Sequence, residues 1–237
     1  MIKDYLCVAL DTDDKEEILS IVDELKDVVG YFKLNFAFTR HGPGIINDIK
    51  NRGGKVFLDL KFHDIPNTVE GYARAVTAYG VDIFNVHSLG GKEMMAAALK
   101  GSEDEALKRK ITRPMILAVT ILTSVDNRIM NEELNILGDM DSQILRMAKL
   151  AEKSGLDGIV SSAADLERIR DELPKSFFFL TPGIKGASIG SDQKRVSTPG
   201  KAVEAGSSLL VVGRGILRAA NRREAALKMQ EEIKGFI

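Results

Sequence analysis

The 237-residue chain contains a single cysteine, Cys7, and its formal net charge is only −1. One cysteine cannot form an internal disulfide, so we expect a reducing cytoplasm rather than an oxidising compartment. The balanced charge provides no basic field that would attract nucleic acid, and no acidic tail is evident. A nucleic-acid partner is therefore unexpected, and Cys7 is predicted to be a small core residue within the apolar run 5–10.

Long apolar runs and clustered metal ligands are also missing from the sequence. No stretch approaches the ~20 apolar residues of a transmembrane helix. The opening residues 1–11 lack the apolar centre of a signal peptide. The three histidines, His41, His63 and His87, are far apart in the chain and do not have the spacing of zinc ligands. We therefore expect neither a membrane span nor a resident metal.

What the sequence does have is a repeated alternation of short apolar runs and helical patterns. The candidate strands are 5–10, 31–36, 55–61, 82–87, 115–121, 158–162, 177–181 and 209–213. Between them, stretches such as 15–28 and 141–155 carry apolar residues at the spacing of an amphipathic helix. Strands that alternate with helices indicate βαβ units and a parallel sheet.

About eight such units of roughly 30 residues each predict a single α/β domain over residues 1–237, a (β/α)8 TIM barrel. A doubly wound open sheet is the alternative, and its phosphate fingerprint G-x-G-x-x-G would follow the first strand. The residues in that place, LDTDDKEE (10–17), include no glycine. The barrel is therefore favoured, and no linker or low-complexity segment divides the chain.

The third candidate strand carries charges that an ordinary buried strand does not. Because side chains alternate along a strand, Phe57, Asp59 and Lys61 share one face, and Val56, Leu58 and Leu60 share the other. The first face would point into the barrel at its C-terminal mouth, where barrel enzymes perform their chemistry. An ordinary ion pair that closes one end of the barrel is the alternative interpretation.

Charged residues at other strand ends favour a site over a single ion pair. Asp11 ends the first strand and Lys33 lies within the second, at about the same height in the predicted barrel. Asp64 lies three residues beyond Lys61, past the strand end. It could stand about 10 Å from Asp59 and need not serve the same pocket of the same chain. Alternatively, Asp64 caps the helix that Pro66 would begin.

The last two strands are followed by segments suited to binding phosphate. Residues 181–195, TPGIKGASIGSDQKR, are polar, rich in glycine and too long for a typical βα turn. Gly213 and Arg214 follow the eighth strand. Loops in these two places commonly bind phosphate in such barrels, and arginine can bind it through two parallel hydrogen bonds. A surface loop with a surface arginine is the alternative.

With these residues in place, the sequence resembles the orotidine 5′-phosphate decarboxylase family. DLKFHDIPNT (59–68) matches the D-x-K-x-x-D signature of that family together with its flanking residues. The agreement continues in VALD (8–11), NVHSLGG (85–91), AVTILTS (118–124), GLDGIVSSA (155–163), LTPGI (180–184), SDQKR (191–195) and VVGR (211–214). Sugar-phosphate decarboxylases share the signature alone, whereas FHDIPNT with LTPGI and VVGR is specific.

The resemblance implies a role for each matching residue. It implies a charge network at the reacting carbon, with Lys61 as the proton donor to C6 of the pyrimidine. That network comprises Lys33, Asp59, Lys61 and Asp64, the last supplied by the partner subunit of a homodimer. Further implied substrate contacts are Asp11, Lys33 and the partner's Thr68 at the ribose hydroxyls, Asp59 close to the substrate carboxylate, Thr123 at the pyrimidine, and Gln193, Gly213 and Arg214 at the phosphate.

One position departs from the resemblance. Bacterial members commonly have arginine after TPGI, whereas this chain has Lys185, followed by a slightly shorter loop. Lys185 is therefore a candidate phosphate contact in which the fork of an arginine is replaced by a compact charge.

The implied activity is decarboxylation of orotidine 5′-phosphate to uridine 5′-phosphate without a metal or an organic cofactor. No cofactor fingerprint is found in the sequence, so fixed charges would have to stabilise the carbanion-like intermediate. Two other functions stay open. One is a magnesium-dependent decarboxylase of keto-sugar phosphates, and the other is a non-catalytic barrel that binds a phosphate ligand.

Overall fold

In the computed structural model, which describes residues 1–184 and 197–237, eight parallel strands close into a barrel in chain order. The strands are β1 (Leu6–Ala9), β2 (Tyr31–Leu34), β3 (Lys55–Phe62), β4 (Ile83–His87), β5 (Met115–Val119), β6 (Gly158–Val160), β7 (Phe178–Thr181) and β8 (Leu209–Val212). Each strand pairs with the next, and β8 pairs with β1. The predicted (β/α)8 TIM barrel is confirmed, with strand ends that differ by one or two residues from the predicted ones.

Helices alternate with the strands. They are α1 (Lys15–Leu25), α2 (Phe36–His41), α3 (Gly44–Asn51), α4 (Pro66–Ala78), α5 (Gly91–Arg109), α6 (Met140–Lys153), α7 (Ala163–Ile169), α8 (Pro199–Glu204), α9 (Arg214–Leu217) and α10 (Arg222–Lys234). The side chain of Asp14 accepts the backbone N–H groups of Glu16 and Glu17 and so caps α1. Pro66 begins α4, where its missing N–H costs nothing. Among the described residues, no helix is both long and apolar enough to cross a membrane.

Two layers of buried apolar side chains determine where the polar residues of the candidate site can lie. The outer layer lies between the strands and the helices and includes Val56 and Leu58 of β3. The inner layer fills the barrel and includes Phe57 of β3, Leu117 of β5 and Val211 of β8. Leu60 is partly buried and packs against the outer layer, so the predicted alternation of apolar side chains along β3 is confirmed. Because the inner layer is closed by apolar side chains, the polar residues above it collect at the C-terminal mouth.

The end of β3 departs from a regular strand. Leu58 pairs with Phe84 and Phe62 pairs with Val86, so the three β3 residues between them lie opposite one residue of β4. Within this bulge, Lys61 has a φ of +50°, in the left-handed region that side chains other than glycine seldom adopt. Simple alternation therefore does not predict the bulge or the backbone conformation of Lys61.

Candidate active site

Four charged side chains form a row across the first three strands at the mouth. Lys33 Nζ lies 3.4 Å from Asp59 Oδ2 and 3.6 Å from Asp11 Oδ1. Lys61 Nζ donates a hydrogen bond to Asp59 Oδ1 at 2.6 Å. The order is therefore Asp11, Lys33, Asp59, Lys61, with opposite charges adjacent throughout. The structure thus brings together four of the residues that the sequence singled out.

Burial differs along this row and determines the ionisation at its centre. The side chains of Lys33 and Asp59 are 11% and 12% exposed, whereas that of Lys61 is 34% exposed. Burial alone would raise the pKa of Asp59, but the charges of Lys33 and Lys61, with hydrogen bonds from Lys61 and Asn85, hold that pKa below its ordinary value. Asp59 is therefore a carboxylate at neutral pH.

Asn85 completes the centre of the row, and the sequence analysis missed it. This β4 residue is 1% exposed. Its Nδ2 donates to Asp59 Oδ1 at 2.7 Å, and its Oδ1 accepts the backbone N–H of Lys61 at 2.8 Å. A signal was present in the sequence, because a single amide interrupts the apolar run IFNVH (83–87). An uncharged amide in a strand does not by itself indicate a site, whereas ionisable residues do.

Asp64 and Thr68 do not join the row within their own chain. Asp64 is exposed, and its Oδ1 accepts the backbone N–H of the adjacent Ile65 at 2.6 Å. Within the described residues, the ion pairs of Lys61 shorter than 4 Å include Asp59 but not Asp64. Helix α4 has Ile65 at its N-cap and no side-chain cap there, so the capping interpretation of Asp64 is wrong. Thr68 lies half-buried in the first turn of α4.

The segments after β8, which pairs with β1, and after β5 contribute further predicted site residues. Gly213 directly follows β8, and a Cβ atom at this position would lie 3.2 Å from Asp11 Oδ2, so a larger residue would crowd that carboxylate. Arg214 begins α9 and is half-buried. Thr123 lies half-buried in a turn four residues beyond the end of β5. Of the other predicted phosphate contacts, Lys185 and Gln193 lie outside the described residues.

A pair of histidines lies near the Lys61 end of the row of charged residues. The rings of His63 and His87 stack with their centroids 5.4 Å apart. Burial, together with the nearby charges of His63 and Lys61, lowers the pKa of His87 to about 4. His87 is therefore neutral at physiological pH, and its Nδ1 accepts the backbone N–H of Leu89.

The chemistry available to this row is the stabilisation of negative charge. Two ammonium groups flank a buried carboxylate, and Lys61, the more exposed of the two, can both face a developing anion and give it a proton. In the parts of the chain that the structure describes, no group of three or more histidine, cysteine, aspartate or glutamate side chains is placed to hold a metal ion.

Fold and site together define the class: a (β/α)8-barrel enzyme with charged groups at the carboxyl ends of its strands. Within that class, the chain belongs to the orotidine 5'-phosphate decarboxylase / HUMPS family, whose model matches residues 4–229. The family expected from the sequence motifs is thereby confirmed.

Individual relatives agree with this assignment. An orotidine 5'-phosphate decarboxylase from Carboxydothermus hydrogenoformans is 47% identical over 234 residues, which cover 98% of this chain and 97% of the relative. One from Moorella thermoacetica is 43% identical, over 98% of this chain and 93% of its own length. The crystal structure of orotidine 5'-phosphate decarboxylase from Lactobacillus acidophilus has a TM-score of 0.86 at 34% identity, covering 97% of this chain and 99% of that one.

Proposed function

We propose that this chain decarboxylates orotidine 5′-phosphate to uridine 5′-phosphate, the step that completes this nucleotide in de novo pyrimidine biosynthesis. One observation carries the proposal: Asp59 lies between the ammonium groups of Lys33 and Lys61 at the barrel mouth, in a chain of this family. Relatives that cover nearly the whole chain are named for this reaction.

The reaction requires stabilisation of an electron pair that has no adjacent carbonyl to accept it. The bond between C6 and the carboxylate breaks, CO₂ departs, and the electron pair stays on C6. The Lys61 ammonium stabilises this developing carbanion and then transfers a proton to C6, after which solvent reprotonates the amine. Other decarboxylases use an organic cofactor as the electron sink. Here we propose that no metal or cofactor takes part.

Asp59 acts on the substrate as well as on the lysines. A substrate carboxylate placed about 4 Å from Asp59 would be repelled by about 4 kcal/mol at an effective dielectric near 20. This repulsion disappears when CO₂ leaves, so it raises the ground state more than the transition state. The same negative charge holds the Lys61 ammonium in place through the 2.6 Å hydrogen bond that Lys61 Nζ donates to Asp59 Oδ1.

The remaining residues bind the parts of the substrate that do not react. We assign the ribose to Asp11 and Lys33, the pyrimidine to Thr123, and the phosphate to Lys185, Gln193, Gly213 and Arg214. The phosphate is remote from the bond that breaks. Its binding energy can therefore be used to orient the substrate relative to the charged side chains.

The proposed active site is shared between two copies of the chain. Asp64 is exposed and does not pair with Lys61 of its own chain, and its neighbour Ile65 is 66% exposed. Tyr72, one helical turn beyond Thr68, is 40% exposed. A second copy that covers these apolar side chains would bring its Asp64 and Thr68 to the neighbouring site. We therefore propose a homodimer.

The proposed localisation, domain organisation and partners of the protein rest on its cysteine, its family match and its net charge. The inner-layer position of Cys7 leaves its thiol buried, which suits a reducing cytoplasm. The family match over residues 4–229 supports one domain across residues 1–237. With a net charge of −1, the proposed partners are the small-molecule substrate and a second copy, without nucleic acid or membrane.

The experiment is a turnover assay that follows the loss of orotidylate absorbance with purified protein, before and after dialysis against EDTA. The proposal predicts turnover that EDTA leaves unchanged. A loss that magnesium alone restores, together with activity on a keto-sugar acid phosphate, would favour the metal-dependent relative. Binding of uridine 5′-phosphate without any turnover would indicate a non-catalytic barrel.

A further inference from the structure

We propose that Asn85 is a positioning residue that holds both Asp59 and the backbone of Lys61 in the geometry the reaction needs. This inference rests on the proposed decarboxylation. It adds a fifth member to the row of Asp11, Lys33, Asp59 and Lys61, one that carries no charge and touches the row from the next strand, β4.

The partners of Asn85 determine the orientation of its amide. A carboxylate only accepts and a backbone N–H only donates, so the NH₂ group must face Asp59 and the carbonyl oxygen must face Lys61. Both contacts are short, at 2.7 and 2.8 Å. The amide is 1% exposed, so water does not compete for either bond. A carboxylate offers no donor and an ammonium or guanidinium offers no acceptor, so neither could make both bonds.

The bond to Lys61 supports an unfavourable backbone conformation. Lys61 has a φ of +50°, which brings its Cβ close to its own carbonyl oxygen. The bulge also removes the Lys61 N–H from the regular pairing between β3 and β4, and a buried N–H without a partner would be costly. Asn85 is the one β4 residue opposite the bulge and supplies the missing acceptor. We infer that Asn85 stabilises the bulge that aims Lys61 at the substrate.

The hydrogen bond from Asn85 to Asp59 stabilises the negative charge of the Asp59 carboxylate. The titratable groups around this carboxylate are Lys33 on β2, Lys61 on its own strand, and the buried thiol of Cys7 on β1. In the proposed reaction Lys61 loses its positive charge when it transfers its proton, whereas the Asn85 amide donates to Asp59 throughout. Asn85 therefore keeps Asp59 ionised while Lys61 transfers its proton.

Two variants separate the two bonds. Asn85→Leu has a similar size and makes neither bond, whereas Asn85→Asp keeps an acceptor for Lys61 but places a second carboxylate beside Asp59. For Asn85→Leu we expect kcat to fall about 10- to 150-fold, as for a lost hydrogen bond to a charged group. We expect KM to change less than about threefold, because the phosphate is bound elsewhere. The acid limb of the kcat profile should move to higher pH in both variants, and further in Asn85→Asp.

Thr77→Val is the matched structural control. Thr77 on α4 is fully buried and shares a 2.8 Å hydrogen bond with Ser102 on α5, away from the mouth. This variant also loses a buried hydrogen bond, so it should lower the melting temperature without moving the pH profile. An Asn85→Leu enzyme whose kcat and pH profile match those of Thr77→Val would show that Asn85 is merely structural and would overturn the inference.

A crystal structure of Asn85→Leu tests the inference independently of turnover. We expect the Lys61 backbone to leave the left-handed region and its Nζ to move away from Asp59 Oδ1. An unchanged Lys61 in the variant would overturn the positioning role, whether or not the wild-type protein is active. Failure of the wild-type protein to decarboxylate orotidine 5′-phosphate would instead reject the proposed function, so the two failures are distinguishable.

Discussion

At the scale of single residues, the central feature is one buried carboxylate that is shared by two lysines. Asp59 is close to Lys33 on one oxygen and to Lys61 on the other. Removing one partner of a buried ionic group is costly because the remaining charge loses its compensation. The cluster therefore acts as a unit, and substitutions within it should change both stability and turnover. Substitutions of neighbouring residues outside this charged group can separate effects on stability from effects on turnover.

His87 gives a prediction about stability and pH. Its pKa is about 4 in the folded chain, compared with an ordinary value of 6.5. Between these values the unfolded chain binds a proton at this residue and the folded chain does not, so the free energy of unfolding declines as the pH falls from about 6.5 towards 4. His87→Gln removes this contribution. In thermal unfolding measured across that range, its melting temperature should decline less than that of the wild type. Parallel declines would show that His87 does not contribute.

At the scale of secondary structure, the sequence predicted the strands well and the bulge not at all. Eight apolar runs separated by helical patterns were sufficient to predict the barrel, because parallel neighbouring strands need a crossover connection, which is usually a helix. Alternation also placed Phe57 inside and Val56 outside. The left-handed Lys61 could not be predicted, because its conformation depends on a contact with another strand. Local patterns contain no information about such a contact.

The site was predicted unevenly for similar reasons. Ionisable residues at strand ends pointed to Lys33 and Asp59, and the structure places them together. Asn85 was missed because an uncharged amide is notable only once its partners are known. The role of Asp64 depends on a second chain, which the sequence suggests only through family resemblance. These gaps share one cause: interactions between distant segments are invisible in a linear pattern.

The segments that follow β7 and β8 give a prediction about phosphate binding. Arg214 lies two residues beyond the end of β8, at the start of α9, whereas Lys185 offers only a compact charge on a flexible stem. Arg214→Ala should lower kcat/KM about 10- to 150-fold, the effect of a lost charge-assisted hydrogen bond. Lys185→Ala should do less harm, and Lys185→Arg should tighten binding.

Kinetics of both alanine variants check this ranking. Part of the loss of kcat/KM in Arg214→Ala should come from weaker binding of the substrate phosphate. A substrate fragment without phosphate, assayed with free phosphite, tests this directly. Phosphite should stimulate turnover of the fragment more in the wild-type enzyme than in the variant. Equal damage from Lys185→Ala and Arg214→Ala would show that the segment after β7 is the main phosphate-binding element.

At the scale of the whole molecule, the barrel supplies the row of charges and a second copy is proposed to complete it. The exposed Asp64 and Ile65 lie beside the mouth on the segment between β3 and α4. A shared site makes activity depend on assembly, because neither copy alone then holds every group near the reacting carbon.

Complementation between two inactive variants tests this sharing. Asp64→Ala and Lys61→Ala should each be nearly inactive as homodimers. When they exchange subunits, one of the two sites in the mixed dimer contains wild-type Asp64 and Lys61, so part of the activity should return. The measurement is turnover after mixing, with subunit exchange verified by mass spectrometry. Verified exchange without recovery would show that each chain completes its own site.

The most direct test of the account compares two lysines on the same strand. Lys61 at the mouth is the proposed proton donor, and Lys55 at the opposite end of β3 pairs with Asp4 near the surface. The measurement is kcat/KM for CO₂ release from carboxyl-labelled orotidine 5′-phosphate. The account predicts a fall of at least about 10²-fold for Lys61→Ala, because the variant loses the proton donor and the stabilising charge. Lys55→Ala should stay within about twofold of the wild type. Comparable activity in the two variants would contradict the central role of Lys61.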